Sequence, residues 1–186
     1  MKPWLLLDVD GVLVPYAAPA NRRPDGCTTL YVGDDWRAHP GPKPNRRLAG
    51  KTTRVWLRPG DGPRLLALTD VFDLRWATTW GMHANAIVSP VLGLPALPVL
   101  DIGDHSGRRG GLHVKTPVIA RVDRPFVWVD DEAEAADVDH LAAHARHPHH
   151  VVVTNPARGL DDDTYDLLRR TGTRLGLAAA GHTATT

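Results

Sequence analysis

The chain has 186 residues, 42% hydrophobic and 23% charged, enough for one α/β domain with a real core and too few for two large ones. A formal net charge of +1 excludes a strong overall electrostatic preference. The single cysteine, Cys27, excludes an intramolecular disulfide framework and fits a reducing compartment. Only a short apolar stretch, Trp4–Leu7, precedes Asp8, which is no secretory core, and no apolar run approaches the ~18 residues of a membrane span. The expected setting is the cytoplasm, away from membranes.

Five short apolar runs read as buried parallel strands: Trp4–Val9, Leu74–Thr78, Ala96–Ile102, Pro125–Val129 and His150–Thr154. Such strands are continuous in hydrophobicity because both faces are covered. Between the first and second lies a stretch that breaks the rhythm, residues 14–58, rich in Pro, Gly and Arg. It carries nine basic residues (Arg22, Arg23, Arg37, Lys43, Arg46, Arg47, Lys51, Arg54, Arg58) against Asp25, Asp34 and Asp35. Its patches Thr28–Val32 and Thr53–Leu57 are suited to pair as a hairpin. Pro63–Phe72 then places Leu65, Leu68 and Phe72 on one helical face, with Asp61 near the N-cap.

Weaker helical patterns cover His83–Leu92 and His113–Val122. Glu132–Arg146 puts Val138, Leu141, Ala142 and Ala145 on one stripe, and Asp131 with Glu134 resembles a capping box. Asp161–Thr171, with Tyr165, Leu167 and Leu168, is the last helix, and the tail from Ala178 to Thr186 is expected to fray. Strands alternating with helices predict one doubly wound α/β domain over residues 1–178, carrying an insert over about 14–60 and a flexible tail at 179–186.

In such sheets ligands bind beyond the carboxyl ends of the strands, and polar residues gather there: Asp8-Val9-Asp10-Gly11, Thr78-Thr79, Asp130-Asp131 and Thr154-Asn155. Two carboxylates two residues apart, with a glycine that turns the chain away at once, suit phosphoryl transfer. Asp8 can act as nucleophile, and Asp10 can protonate the leaving oxygen and later activate water. Asp130 and Asp131, with Asp8 and Asp10, supply oxygen ligands for Mg²⁺. Thr78 is the candidate to hold a phosphoryl oxygen, with Thr79, Gly11 and the pair Arg108-Arg109 as further substrate contacts. Lysine is scarce (Lys2, Lys43, Lys51, Lys115), and Lys115 alone lies beyond residue 51; it can neutralise the aspartate–phosphate pair.

Two lookalikes fail. His140 and His144 are four apart on a helix, but no glutamate follows His140, so the histidines read as solvated or packed rather than as zinc ligands. Gly110-Gly111-Leu112-His113-Val114-Lys115-Thr116 mimics a phosphate-binding loop, but Val114 stands where glycine is required.

The ordered set Asp8-Val-Asp10-Gly11-Val-Leu, Trp76-Ala-Thr78-Thr79-Trp80, Lys115 and Trp128-Val-Asp130-Asp131-Glu132 resembles the four motifs of the haloacid dehalogenase-like superfamily, across nearly the whole chain. Thr78-Thr79-Trp80 followed by Ala84-Asn85, the Trp128–Glu132 segment, and Asn155-Pro156-x-x-Gly159-Leu160 look closest to the haloacid dehalogenase-like domains of "Swiss army knife" RNA-repair proteins and their stand-alone bacterial relatives. The resemblance implies a Rossmann-like core of five parallel strands in order 5-4-1-2-3, Mg²⁺, an aspartyl-phosphate intermediate and a phosphatase rather than a dehalogenase. Glu132 and Asn85 are expected to be structural.

The insert is long enough for a flap but not for a globular lid, so the site is expected to admit large substrates. With Arg22-Arg23, Arg46-Arg47 and Arg108-Arg109, the expected partner is a phosphorylated substrate such as an RNA or DNA end, or a nucleotide. Rival expectations are a phosphatase of small sugar phosphates or mononucleotides, and a nucleic-acid-binding module without turnover.

Overall fold

The computed structural model describes residues 1–45, 50–103 and 107–182, with only the helix backbone at 178–182. Arg46 and Arg47 therefore lie outside the described residues, as does the tail from 183.

Leu5, Leu6 and Leu7 are wholly buried, so β1 (Trp4–Leu7) must be covered on both faces and paired on both edges. It pairs in parallel with β5 (Asp73–Trp76) on one side and β8 (Phe126–Asp130) on the other. Beyond β8 lies β9 (His149–Val153), giving a four-stranded parallel sheet in the order β5-β1-β8-β9. The expected fifth strand, Ala96–Ile102, does not form a ladder. Its contact with β5 is a single bridge, Trp76 to Val99, held by Trp76 N–H to Pro98 O at 2.9 Å and Leu100 N–H to Trp76 O at 2.7 Å. Pro95 and Pro98 have no N–H to give, which limits pairing at this edge. Asn85 fastens the segment instead: its side-chain oxygen accepts from Trp76 Nε1 (2.9 Å) and Leu97 N–H (2.8 Å), and its amide donates to Leu97 O (2.8 Å). Asn85 is structural, as expected.

Alternation along the strands divides the core into two layers. Leu5, Leu7, Val127 and Val129 share one cluster with Leu65, Leu68, Phe72, Tyr165 and Leu168. These come from α1 (Asp61–Leu68), the turn after it, and the long α5 (Asp162–His182). Leu6, Phe126 and Trp128 face the other way, onto Ile119 and Leu141, from α3 (Thr116–Ile119) and α4 (Ala135–His144). The His113–Val122 pattern thus contracts to one helical turn. His83–Leu92 becomes a π-helical turn, Ala84–Val88, running into α2 (Ser89–Leu92).

Two details of α4 differ from expectation. Its capping box joins Glu134 to Asp137, not Asp131 to Glu134, because Asp131 is occupied elsewhere. Of the expected stripe only Leu141 is buried, while Val138 is 41% exposed. The helix is anchored instead by Asp137, a wholly buried carboxylate.

The insert contributes a three-stranded antiparallel sheet in the order β3-β2-β4: β2 (Thr28–Gly33), β3 (Ala38–Pro40) and β4 (Thr52–Leu57). The expected pairing of the Thr28 and Thr53 patches is formed, with Leu30 opposite Val55. Leu30, Val32, Val55 and Leu57 belong to the same buried cluster as Leu7, Val9 and Val12. In the turn from β2 to β3, Trp36 adopts φ +59°, the only non-glycine with positive φ among the described residues. A left-handed backbone at such a residue costs about 1–2 kcal/mol. A two-strand ribbon, β6 (Arg108–Arg109) with β7 (Leu112–His113), leads into α3.

The loop leaving β1 is clamped by the one leaving β9. Gly159 has φ +69°, and a Cβ there would lie 2.4 Å from Val12 O; Leu160 N–H donates to that same oxygen at 2.9 Å. Gly159→Ala should therefore lower stability by more than the ~1–2 kcal/mol of a left-handed backbone alone, measured as a reduced urea midpoint with unchanged slope.

Candidate active site

β1 ends at Leu7, so Asp8 is the first residue past the strand and sits beyond the sheet's carboxyl edge. Its amide still donates to Val129 O at 3.1 Å, which ties it to β8, and the residue is only 5% exposed. The chain then coils: Leu13 and Val14 both donate to Val9 O, at 2.9 Å each. Gly11 allows the reversal with φ +67°, and a Cβ at this position would fall 2.0 Å from Asp131 Cγ. No side chain can replace that hydrogen without displacing Asp131. The expected substrate contact Gly11 thus acts through its emptiness, while its carbonyl accepts from Thr154 Oγ1 at 3.0 Å.

Lys115 lies at the start of α3, 1% exposed, and its ammonium stands 2.7 Å from Asp8 Oδ2 and 2.7 Å from Asp130 Oδ2. Asp130, wholly buried, also accepts from Trp128 Nε1 (3.2 Å) and Glu132 N–H (2.9 Å). Thr78, 1% exposed, hydrogen-bonds Asp8 and accepts from Trp80 N–H at 3.3 Å. Thr79 is exposed and lines the cavity in front of these groups. That cavity, about 530 Å³, is bordered by Asp8, Asp10, Tyr16, Thr79, Gly107, His113, Lys115, Asp131 and Glu132.

The charges do not balance. One ammonium faces two buried carboxylates, with Asp131 and Asp10 half-buried alongside. Burial pushes Asp8 up to about 7, and the Asp130 charge adds to this, while Lys115 and Thr78 offset part of it. Burial also raises Asp10, against a hydrogen bond from Trp80 Nε1 at 2.8 Å, and raises Asp131 against a bond from Tyr16 Oη at 2.8 Å. For Lys115 burial works toward neutrality, but Asp8 and Asp130 overcome it and hold the ammonium charged.

Carboxylate oxygens of Asp8, Asp130 and Asp131 lie within 4.8 Å of one another, a hard-oxygen set with surplus negative charge that fits a magnesium ion. Asp10, expected among the ligands, is not part of this triad. Its carboxylate accepts from Trp80 Nε1 instead. No histidine group with metal-ligand spacing occurs among the described residues; His140 and His144 merely stack at 4.1 Å.

Arg108 and Arg109 do not line the cavity. Arg108 is engaged with Asp137 (3.0 Å), Glu134 (3.3 Å) and the carbonyls of Gly111 and Glu132, while Arg109 is exposed on the ribbon. Asp137 explains the commitment of Arg108. It also accepts from His113 N–H (2.8 Å), Thr116 Oγ1 (2.6 Å) and Glu134 N–H (2.9 Å). These bonds overcome its burial and lower its pKa. Asp137 therefore fixes the segment that presents Lys115.

Four groups bordering the cavity, Tyr16, Gly107, His113 and Glu132, and Trp80, which bonds Asp10, were not anticipated as site residues. The Lys115 N–H donates to His113 Nδ1 at 3.1 Å, so the neutral imidazole carries its proton on Nε2, 3.3 Å from Glu132 Oε2. Glu132, expected to be structural, borders the cavity. In the sequence only the Trp80 motif and Glu132, next to the Asp130 pair, offered a signal; Tyr16 and His113 offered none.

Two outcomes are expected. Lys115→Met leaves Asp8 and Asp130 buried without their cation, and should destabilise the protein by about 3–5 kcal/mol near neutral pH, less at pH 5, as read by urea unfolding. Because Asp8 is raised in the fold from 3.8 to about 7, its ionisation removes stability as pH climbs across that interval. Added Mg²⁺ should therefore raise Tm more at pH 8 than at pH 5.5, and a flat response would count against the triad as a cation site.

Comparison with known protein families, curated proteins and solved structures gives no match to this chain.

Proposed function

We propose that this chain is a Mg²⁺-dependent phosphohydrolase acting on phosphate monoesters through an aspartyl-phosphate on Asp8, with nucleotides or nucleic-acid ends as its substrates. The single observation that carries this is Asp8 Oδ2 held 2.7 Å from the Lys115 ammonium at the mouth of a cavity that Asp10 also borders. The resemblance of the four motifs to the haloacid dehalogenase-like superfamily agrees with it.

An Asp8 carboxylate oxygen attacks phosphorus, the P–O ester bond breaks, and the departing oxygen takes the Asp10 proton. The burial that raises Asp10 favours the protonated acid this step needs. Asp10, now a carboxylate, removes a proton from the water that attacks phosphorus and releases phosphate from Asp8. Lys115 stays charged throughout and holds Asp8 in position, while Thr78 and Thr79 would hold phosphoryl oxygens. The magnesium ion, held by Asp8, Asp130 and Asp131, would offset the phosphoryl charge that Lys115 alone cannot balance. Asp131, bonded to Tyr16, is the least buried of the three.

The expected result is release of phosphate from p-nitrophenyl phosphate with Mg²⁺ and none with EDTA. Asp8→Asn should abolish turnover with the fold intact by circular dichroism, and Asp10→Asn should lower kcat by about 10²–10⁴. Undiminished turnover in Asp8→Asn would refute the nucleophile.

A further inference from the structure

A second cavity, about 390 Å³, opens between the insert sheet and the core. Asp10 and Tyr16 border both it and the cavity holding Asp8, so the two are contiguous at the group assigned to protonate the leaving oxygen. On the proposed function, whatever departs with that oxygen would face the second cavity. Its walls combine the rings of Trp36, Trp80 and Tyr16 with the aliphatic Val14, Val32 and Val55, and a polar rim of Asp34, Thr53 and Arg54.

The rings are set in advance of any ligand. Trp36 stacks on His83 with centroids 4.4 Å apart and planes 5° from parallel, and meets Trp80 edge-on at 5.3 Å. Trp80 is fixed through Nε1 to Asp10. Trp36 reaches this place only through its left-handed φ of +59°, in a turn closed by Trp36 N–H to Gly33 O at 2.9 Å. A glycine would take that backbone freely, so the strain serves the indole, and held strain of this kind belongs with function. The residue is nonetheless 37% exposed, which a purely structural tryptophan does not require.

Resting on the proposed phosphohydrolase activity, the geometry points to a nucleobase subsite in this cavity, which receives the base of the nucleotide whose phosphate Asp8 attacks. A planar heterocycle with donors and acceptors on its edge fits aromatic and aliphatic walls with a polar rim; a sugar phosphate has no flat face to offer them. The base arrives on a free mononucleotide or on the terminal nucleotide of an oligonucleotide.

The test pairs turnover with binding. With Mg²⁺, kcat/KM for adenosine 5′-monophosphate and 3′-monophosphate is compared with that for ribose 5-phosphate, and a 3′-phosphorylated oligonucleotide is compared with the free 3′-monophosphate. Either source preferred over ribose 5-phosphate meets the proposal. Trp36→Gly keeps the backbone conformation and removes the ring. It should lower the ratio of nucleotide to ribose 5-phosphate kcat/KM by about tenfold, and Trp36→Phe should restore part of it. Adenosine, which carries no phosphate, should bind the wild type in calorimetry and bind Trp36→Gly at least about tenfold more weakly. Equal turnover of nucleotide and ribose 5-phosphate, with a ratio unmoved by Trp36→Gly, would overturn the subsite and leave the phosphohydrolase standing. Adenosine binding that depends on Trp36, without phosphate release from any ester, would overturn the phosphohydrolase and leave the subsite.

Discussion

Everything at the sheet's carboxyl edge depends on one buried ammonium between two buried carboxylates. Lys115 comes from α3, Asp8 from the end of β1 and Asp130 from the end of β8. Neighbouring parallel strands bring the two acids side by side, where they would repel strongly in a medium of low dielectric. The cation that separates them must be delivered from the helical layer, and it is delivered with little slack. Asp137 binds the backbone of His113 and the hydroxyl of Thr116, either side of the lysine. The outer carboxylate, Asp137, is thus what keeps the inner charges in register.

The same imbalance links stability to chemistry. Two buried acids share one lysine, and two half-buried acids adjoin them, so the folded site carries more negative charge than its own residues compensate. Under the proposed function, that surplus is what a divalent cation corrects and what a phosphate, negative itself, could not approach without one. Asp10 lies outside the triad with its carboxylate bonded to Trp80, and under the proposed function this leaves it to hold and give a proton. Two aspartates two residues apart thereby acquire different surroundings, one against Lys115 and the other against Trp80.

Much of this arrangement was legible in the sequence, because it is encoded locally. Apolar runs ending in Asp8 and Asp130 place acids at strand ends whatever else the chain does, and Lys115 stood out because lysine is scarce. The α/β alternation and the pairing of the insert's β-rich patches follow from patterns of a few residues. What was illegible depends on distant partners. Tyr16 meets Asp131 across 115 positions, and nothing near either residue announces the contact. Arg108 looked available for substrate until Asp137 appeared beneath it. The fifth strand read as apolar and extended, but Pro98 within it and Pro95 just before it remove donors that a ladder would use. Asp131, expected to help cap α4, is instead packed over Gly11, and Glu134 takes its place.

The insert sheet is not an appendage resting on the core. Leu30, Val32, Val55 and Leu57 are buried in one continuous cluster with the strands and loops that carry Asp8, and separating them would expose that interior to water. Lifting a cover joined in this way would expose apolar surface that is buried at rest, a cost that a loosely tethered flap does not carry. Under the proposed function, the described part of the insert would then act as a fixed wall of the entrance, and would select substrates by fit.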